Sequence, residues 1–141
     1  MIPKIIHYCW LGDSEFPELV KKCIQSWKKK MPDWEFILWD KNCLKDLNSD
    51  WVNEAYSTKK YAFAADYIRL YAVNKFGGFY LDSDVEVLKN FAPLLDSPYI
   101  FALENEIGDI EAATFGSEPN NPYVQKCLSY YEGRHFIKKD N

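Results

Sequence analysis

Two carboxylates two residues apart, Asp82 and Asp84, follow directly on the apolar run Phe79-Tyr80-Leu81. Side chains alternate along a strand, so a strand continuing through this stretch aims both acids the same way and Ser83 the other way. In open α/β sheets, ligands gather beyond the carboxyl ends of strands. Two carboxylates in such a crevice repel each other unless a proton or a cation lies between them. A hard divalent ion accepts carboxylate oxygens and completes its shell from substrate phosphates. The neighbourhood agrees: from Asp82 to Glu118 there are nine acids against one base, Lys89.

A bare Asp-x-Asp is weak on its own, because most such pairs are solvated turns. A calcium loop starting at Asp82 needs Gly at its sixth position and Glu at its twelfth; Val87 and Pro93 stand there. A metal-dependent phosphatase of haloacid-dehalogenase type has Thr or Val where this chain has Glu86, which weakens that alternative. A nucleotide-sugar site gains support from Asp66 and Arg69, three residues apart and so on one helix face. The plain reading of that pair is a surface ion pair worth a few tenths of a kcal/mol. Yet Tyr61 to Val73 is apolar nearly all round, which predicts a mostly buried helix. Charges there are costly unless paired or functional, and arginine's planar fork suits carboxylate or phosphate.

The elements that must position these residues read as follows. Lys4 to Leu11 is a first strand. Pro17 opens a helix to about Lys30, with Leu19, Val20, Cys23, Ile24 and Trp27 on one stripe. Trp34 to Trp39 is a second strand, so a β-α-β unit with parallel strands is expected. Leu44 to Thr58 is mixed, with a short helix from Asp50. Lys59 to Phe76 is a helix stopped by Gly77-Gly78. Phe79 to Leu81, Tyr99 to Leu103 and Ala112 to Phe115 are short strands, and Val85 to Leu88 either continues the first of these or bends away. Asn121-Pro122 starts a last helix, Tyr123 to Tyr131. Phe136 to Asn141 shows no closing element.

Composition bounds the rest. The chain has 141 residues, 17 basic and 21 acidic side chains and a net charge of −4, which argues against a nucleic-acid partner. Hydrophobic residues are 48% and charged residues 27%, as in a folded domain. The longest uncharged run is eight residues, Ile5 to Gly12, far short of the roughly 20 a membrane span needs. The N-terminus lacks a secretory pattern. Cys9, Cys23, Cys43 and Cys127 form no C-x-x-C pair, so buried free thiols in a reducing compartment are expected. One domain over residues 1–141 is expected.

Three blocks in this order and spacing resemble the DXD sugar-transferring glycosyltransferases of family 32, and more distantly the glucosylating domain of large clostridial toxins. They are Pro3 to Gly12, Ala62 to Tyr71 and Gly77 to Asp84. The resemblance implies a GT-A-like fold, an α/β Rossmann-type mixed sheet flanked by helices. It implies a nucleotide-diphosphate sugar donor, with UDP-sugars first, held with Mn2+ or Mg2+. In it Trp10 stacks on the base, and Asp66 and Arg69 hold sugar hydroxyls and diphosphate. Asp82 contacts ribose or sugar and helps place the metal, Asp84 ligates the metal, and His7 and Tyr80 line the pocket. Retention of anomeric configuration and a glycan or lipid-linked saccharide acceptor follow from the same likeness. So do a role in capsule or other polysaccharide synthesis and a cytoplasmic place, with peripheral contact at the inner membrane face. No nucleophile is selected; Glu104, Glu106, Asp109 and Glu111 are all candidates to face the acceptor. Relatives usually continue past Asn141, so C-terminal truncation and a non-catalytic donor-binding module stay open, beside the weaker phosphatase alternative.

Overall fold

The computed structural model describes residues 1–138; residues 139–141, the last of the Phe136–Asn141 tail, lie outside the described residues. Strand β1 (Ile5–Cys9), helix α1 (Glu18–Lys30) and strand β2 (Glu35–Trp39) form the expected β-α-β unit, with β1 and β2 parallel. Short helices α2 (Leu44–Leu47) and α3 (Asp50–Ser57) lead to the long helix α4 (Tyr61–Phe76). Then come β3 (Gly78–Leu81), β4 (Tyr99–Leu103), β5 (Ile110–Ser117) and α5 (Pro122–Ser129). The five strands lie in the order β2-β1-β3-β5-β4. β5 is antiparallel to both β3 and β4, so the sheet is mixed.

Strand alternation divides the core. Ile6 and Tyr8 of β1 and Phe79 and Leu81 of β3 pack on the α1 face with Val20, Ile24 and Trp27. Tyr80 packs on the other face, with Val73 of α4 and Val124 of α5. Leu19 does not join the α1 stripe and is exposed. Its position is one residue off the 20, 23, 24, 27 spacing that faces the sheet. Helix α4 is not buried all round either. Ala64, Ile68, Arg69, Ala72 and Val73 are inside, while Phe63 and Phe76 are exposed. Its uniform apolar composition gave no indication of which face packs.

The junction between α4 and β3 is built from backbone. Gly77 and Gly78 both have positive φ, and a Cβ on Gly78 would lie 2.6 Å from the Ile5 carbonyl oxygen. Only glycine lets β3 come this close to β1. His7 fastens the corner from inside: its Nε2 lies 2.9 Å from the Gly77 carbonyl oxygen, and Trp39 Nε1 donates to its Nδ1 at 3.1 Å. The indole has a hydrogen only to give, so the ring must be the neutral Nε2–H tautomer, donating to Gly77.

Val85 to Leu88 neither extends β3 nor pairs with another strand. It is held against α1, where Trp27 Nε1 donates to the Val85 carbonyl at 2.7 Å and the Val87 amide donates to Ser26 Oγ at 2.9 Å. The tail does find a partner, contrary to the expectation from sequence. The Phe136 amide donates to Glu54 at 2.9 Å, and the Phe136 ring packs on Trp51 and Phe63. No cysteine is in a disulfide; Cys23 is buried as expected, but Cys127 is exposed.

Burial lowers the pKa of His7 from 6.5 to about 4, partly offset by its bond to Gly77. The unfolded chain therefore binds the extra proton first as pH falls, and stability is lost between about pH 6.5 and 4. A shift of this size removes about 2 kcal/mol between pH 7.5 and 5. Urea unfolding at the two pH values should show that loss in the parent. The loss should be smaller by about that amount in His7→Gln, which cannot titrate.

Candidate active site

Asp82 leaves the sheet at the carboxyl end of β3, its amide still donating to the Ala113 carbonyl of β5 at 2.8 Å. The chain then turns, with the Val85 amide donating back to the Asp82 carbonyl at 3.0 Å. Strand alternation thus stops before Asp84, and the two carboxylates are not aimed alike by a pleat. Asp82 is partly buried, while Asp84 stands exposed in the turn.

Arg69 organises the buried side. It points from α4 toward the ends of β3 and β5, only 10% exposed. Its Nε donates to the Ala65 carbonyl at 3.2 Å and one terminal nitrogen to the Ala112 carbonyl at 2.6 Å. The other terminal nitrogen lies 3.5 Å from Asp66 Oδ1 and 3.4 Å from Asp82 Oδ1. The guanidinium also sits 4.7 Å from the centre of the Tyr80 ring. Tyr80 Oη donates to Asp82 Oδ1 at 3.0 Å. Asp66, Arg69 and Asp82, expected together from sequence, are therefore together.

Burial pushes the carboxyls of Asp66 and Asp82 above the usual carboxylate range, even with Arg69 pulling them down. One guanidinium is divided between two acids and two carbonyls, and desolvation outweighs what remains for each. Carboxylates held in this condition have affinity to spare for a further cation. Asp82 and Asp84 fit the donor set of a hard divalent ion, which needs only one or two carboxylates when phosphates supply the rest. Among the described residues no group of three or more His, Cys, Asp or Glu side chains is arranged to hold a metal ion.

Three expected site residues have different positions. His7 is fully buried at the α4–β3 corner and has no exposed surface with which to line a pocket. Tyr80 is buried too, and acts on Asp82 from behind. Both sit at inward strand positions facing α4, which the residue types alone did not reveal. Trp10 lies just past β1, its amide bonded to the Trp39 carbonyl and its indole donating to the Ser14 carbonyl at 3.0 Å. It lines a separate cleft of about 590 Å³ with Gly12, Asp13 and Lys41, at the carboxyl ends of β1 and β2. One contributor was missed and another was not singled out. The Ala112 carbonyl, as backbone, left no trace in the letters. Glu111 was one acid among four; it alone is partly buried and close enough to raise the Asp82 pKa, while Glu104, Glu106 and Asp109 are exposed.

Residues 17–101 match the family described as a glycosyltransferase sugar-binding region containing the DXD motif. The chain belongs to that family. The resemblance read from the three sequence blocks is thereby shown. Inositol phosphoceramide mannosyltransferase 3 of Schizosaccharomyces pombe is 34% identical over 101 residues, covering 69% of this chain and 28% of that protein. Inositol phosphoceramide mannosyltransferase 1 of the same organism is 27% identical over 147 residues, covering 97% of this chain and 46% of its own length. The chain therefore spans less than half of these relatives. A solved structure titled PaToxG Glycosyltransferase superposes with a TM-score of 0.75 at 21% identity, covering 94% of this chain and 63% of that one. The likeness establishes a GT-A-like glycosyltransferase fold. No helix among the described residues is long and apolar enough to cross a membrane.

Replacing Arg69 by Met should strand two half-buried carboxylates. The expected loss is about 2 to 4 kcal/mol at pH 7. It should shrink toward pH 5, because Asp66 and Asp82 then take up protons in the folded state before the unfolded chain does. Chemical denaturation of parent and variant at both pH values checks this.

Proposed function

We propose that residues 1–141 form one donor-binding domain. It holds a nucleotide-diphosphate sugar with Mn2+ or Mg2+ and transfers the sugar to a lipid-linked or glycan acceptor with retention of configuration. The observation that carries this reading is the Arg69–Asp82–Asp66 cluster at the carboxyl end of β3, with Asp84 exposed in the next turn. Asp84 and the free edge of Asp82 would hold the cation. A bound divalent ion supplies Lewis-acid stabilisation of the departing diphosphate. Trp10 would stack on the base, one strand away from the acids. Arg69 would share charge with the diphosphate, and Asp66 beside it would hold sugar hydroxyls. His7 and Tyr80 belong to the support of these groups.

In the transfer, the bond from the anomeric carbon to the diphosphate oxygen breaks and its electron pair leaves with the nucleoside diphosphate. An acceptor hydroxyl oxygen bonds to that carbon, and its proton passes to the departing diphosphate oxygen. The curated relatives are named for inositol phosphoceramide mannosylation, which favours a lipid-linked acceptor over the capsule polysaccharide expected from sequence. Such an acceptor keeps the enzyme at a membrane face, by peripheral contact in the cytoplasmic placement first expected. The phosphatase alternative would leave Asp66 and Arg69 without a task.

Thermal unfolding with UDP, GDP or no nucleotide, each with and without manganese, tests the donor site. A ligand at 100 times its dissociation constant stabilises by about 2.7 kcal/mol. One nucleotide should raise the midpoint only with manganese, and Asp84→Ala should remove that rise without lowering the ligand-free midpoint, since Asp84 is exposed. No rise with either nucleotide sinks the reading. Slow donor hydrolysis in the stabilised sample then separates an enzyme from a silent binder.

A further inference from the structure

Helix α1 carries five lysines, Lys21, Lys22, Lys28, Lys29 and Lys30, against one acid, Glu18. That is +4 in a chain of −4, which leaves −8 on everything else. Val20, Cys23, Ile24 and Trp27 turn one side of the helix into the core, and all five lysines are exposed. Lys21 and Lys22 stand seven residues before Lys28 and Lys29, so two turns of helix line them up in paired rows on the outward face. Like charges crowded on one face repel. The usual remedy is an acid three or four residues away. Here Lys21 meets Glu18 at 3.2 Å, and among the described residues Lys22, Lys28, Lys29 and Lys30 form no ion pair. Lys4 and Lys41, by contrast, are held by Asp33 and Asp13 at 2.6 Å each. Lysines in a last turn complement the helix dipole, which accounts for Lys28 to Lys30 but not for Lys21 and Lys22.

We propose that this face docks on an anionic lipid surface. The proposal gives the peripheral membrane contact of the proposed function a place on the molecule, and rests on that reading for its purpose. Charge complementarity chooses the partner. A basic row of this size on a helix is drawn to acidic headgroups, and the −8 carried elsewhere turns the other surfaces away from them. All five side chains are lysine, a hydrated point charge, and none is arginine, whose fork reads nucleic-acid phosphates and bases. That sets a lipid surface above a nucleic acid. Leu19, 61% exposed, stands among the first lysines. Leu88, 72% exposed, follows Val87, whose amide is bonded to Ser26, four residues from both Lys22 and Lys30. Leucines beside a basic row can enter the headgroup layer.

Acids do approach the middle of α1. Burial, then Glu86 and Asp84, push the Cys23 thiol up, with Lys22 opposing. Lys28 and Lys29 lie more than a turn further along, and Asp33 beyond them is taken by Lys4. At the other end, Lys21 also lines the Trp10 cleft. A membrane lying under α1 therefore reaches the edge of that cleft.

The test is co-sedimentation of the full chain with phosphatidylcholine vesicles, with and without phosphatidylserine at about one lipid in three, in about 0.1 M salt. Binding should be at least about tenfold tighter with phosphatidylserine, and about 1 M salt should remove the difference. Lys28→Gln with Lys29→Gln should weaken it about 25-fold, each lysine near the surface being worth roughly fivefold. Lys45→Gln with Lys60→Gln makes the same change of net charge away from α1, on α2 and at the start of α4, and should leave binding unchanged. All four positions are exposed, so both double variants should keep the parent's far-UV circular dichroism. Equal binding to the two vesicles overturns the proposal. So does equal weakening by the two double variants, which would make net charge and not this face the cause. Tighter binding of duplex RNA than of the vesicles through Lys28 and Lys29 overturns it in favour of a nucleic acid. A salt-sensitive dimer that the Lys28 and Lys29 substitutions dissolve overturns it in favour of α1 seated on the acidic hairpin of a second copy. Vesicle binding without the manganese-dependent nucleotide shift sinks the donor reading and leaves this face standing; the shift without vesicle binding sinks the face alone.

Discussion

The close approach of β3 to β1, fixed by the Gly77-Gly78 corner, is the constraint on which the site depends. A side chain at Gly78 would collide with the Ile5 carbonyl. Without that contact the end of α4 could not be pinned to the sheet by His7 and Gly77. Arg69 lies two turns back along α4 from this corner, and Asp82 lies four residues forward along β3. A shift of the corner therefore moves the two halves of the charged cluster relative to each other. The buried neutral imidazole is part of the scaffold: it satisfies a carbonyl and an indole that would otherwise be left unpaired inside.

The charged cluster itself carries an energetic cost that the scaffold must offset. Burial raises the pKa values of Asp66 and Asp82 although Arg69 touches both. A structure optimised for stability alone would place apolar residues here. Two under-compensated carboxylates beside an exposed third, Asp84, are a state that a cationic ligand relieves. The family match over residues 17–101 and this local condition point the same way from independent grounds.

Much of this was legible in the sequence. The β-α-β unit, α4 and its glycine stop, and the pairing of Asp66 with Arg69 follow from local periodicity and turn chemistry. The order of strands was not legible. β5 inserts between β3 and β4 and runs against both, an outcome of long-range pairing that no local pattern encodes. The same gap hid the inward direction of His7 and Tyr80. It also left open which course Val85 to Leu88 takes, continuing the strand or bending away, a choice made by its hold on α1. Glu111 could be told from three neighbouring acids only once its strand had partners.

That hold on α1 has a consequence for how the protein tolerates change. The turn bearing Asp84 hangs between two anchorages. One is the Asp82 amide on β5; the other is the Trp27 and Ser26 hold on Val85 and Val87. The second anchorage belongs to a helix on the opposite face of the sheet, about sixty positions away in the chain. Selection acting on the position of Asp84 would therefore reach into the hydrophobic interior. A drift in the seating of α1 that left the fold intact would register as a displaced Asp84, and could be repaired from either end of the span.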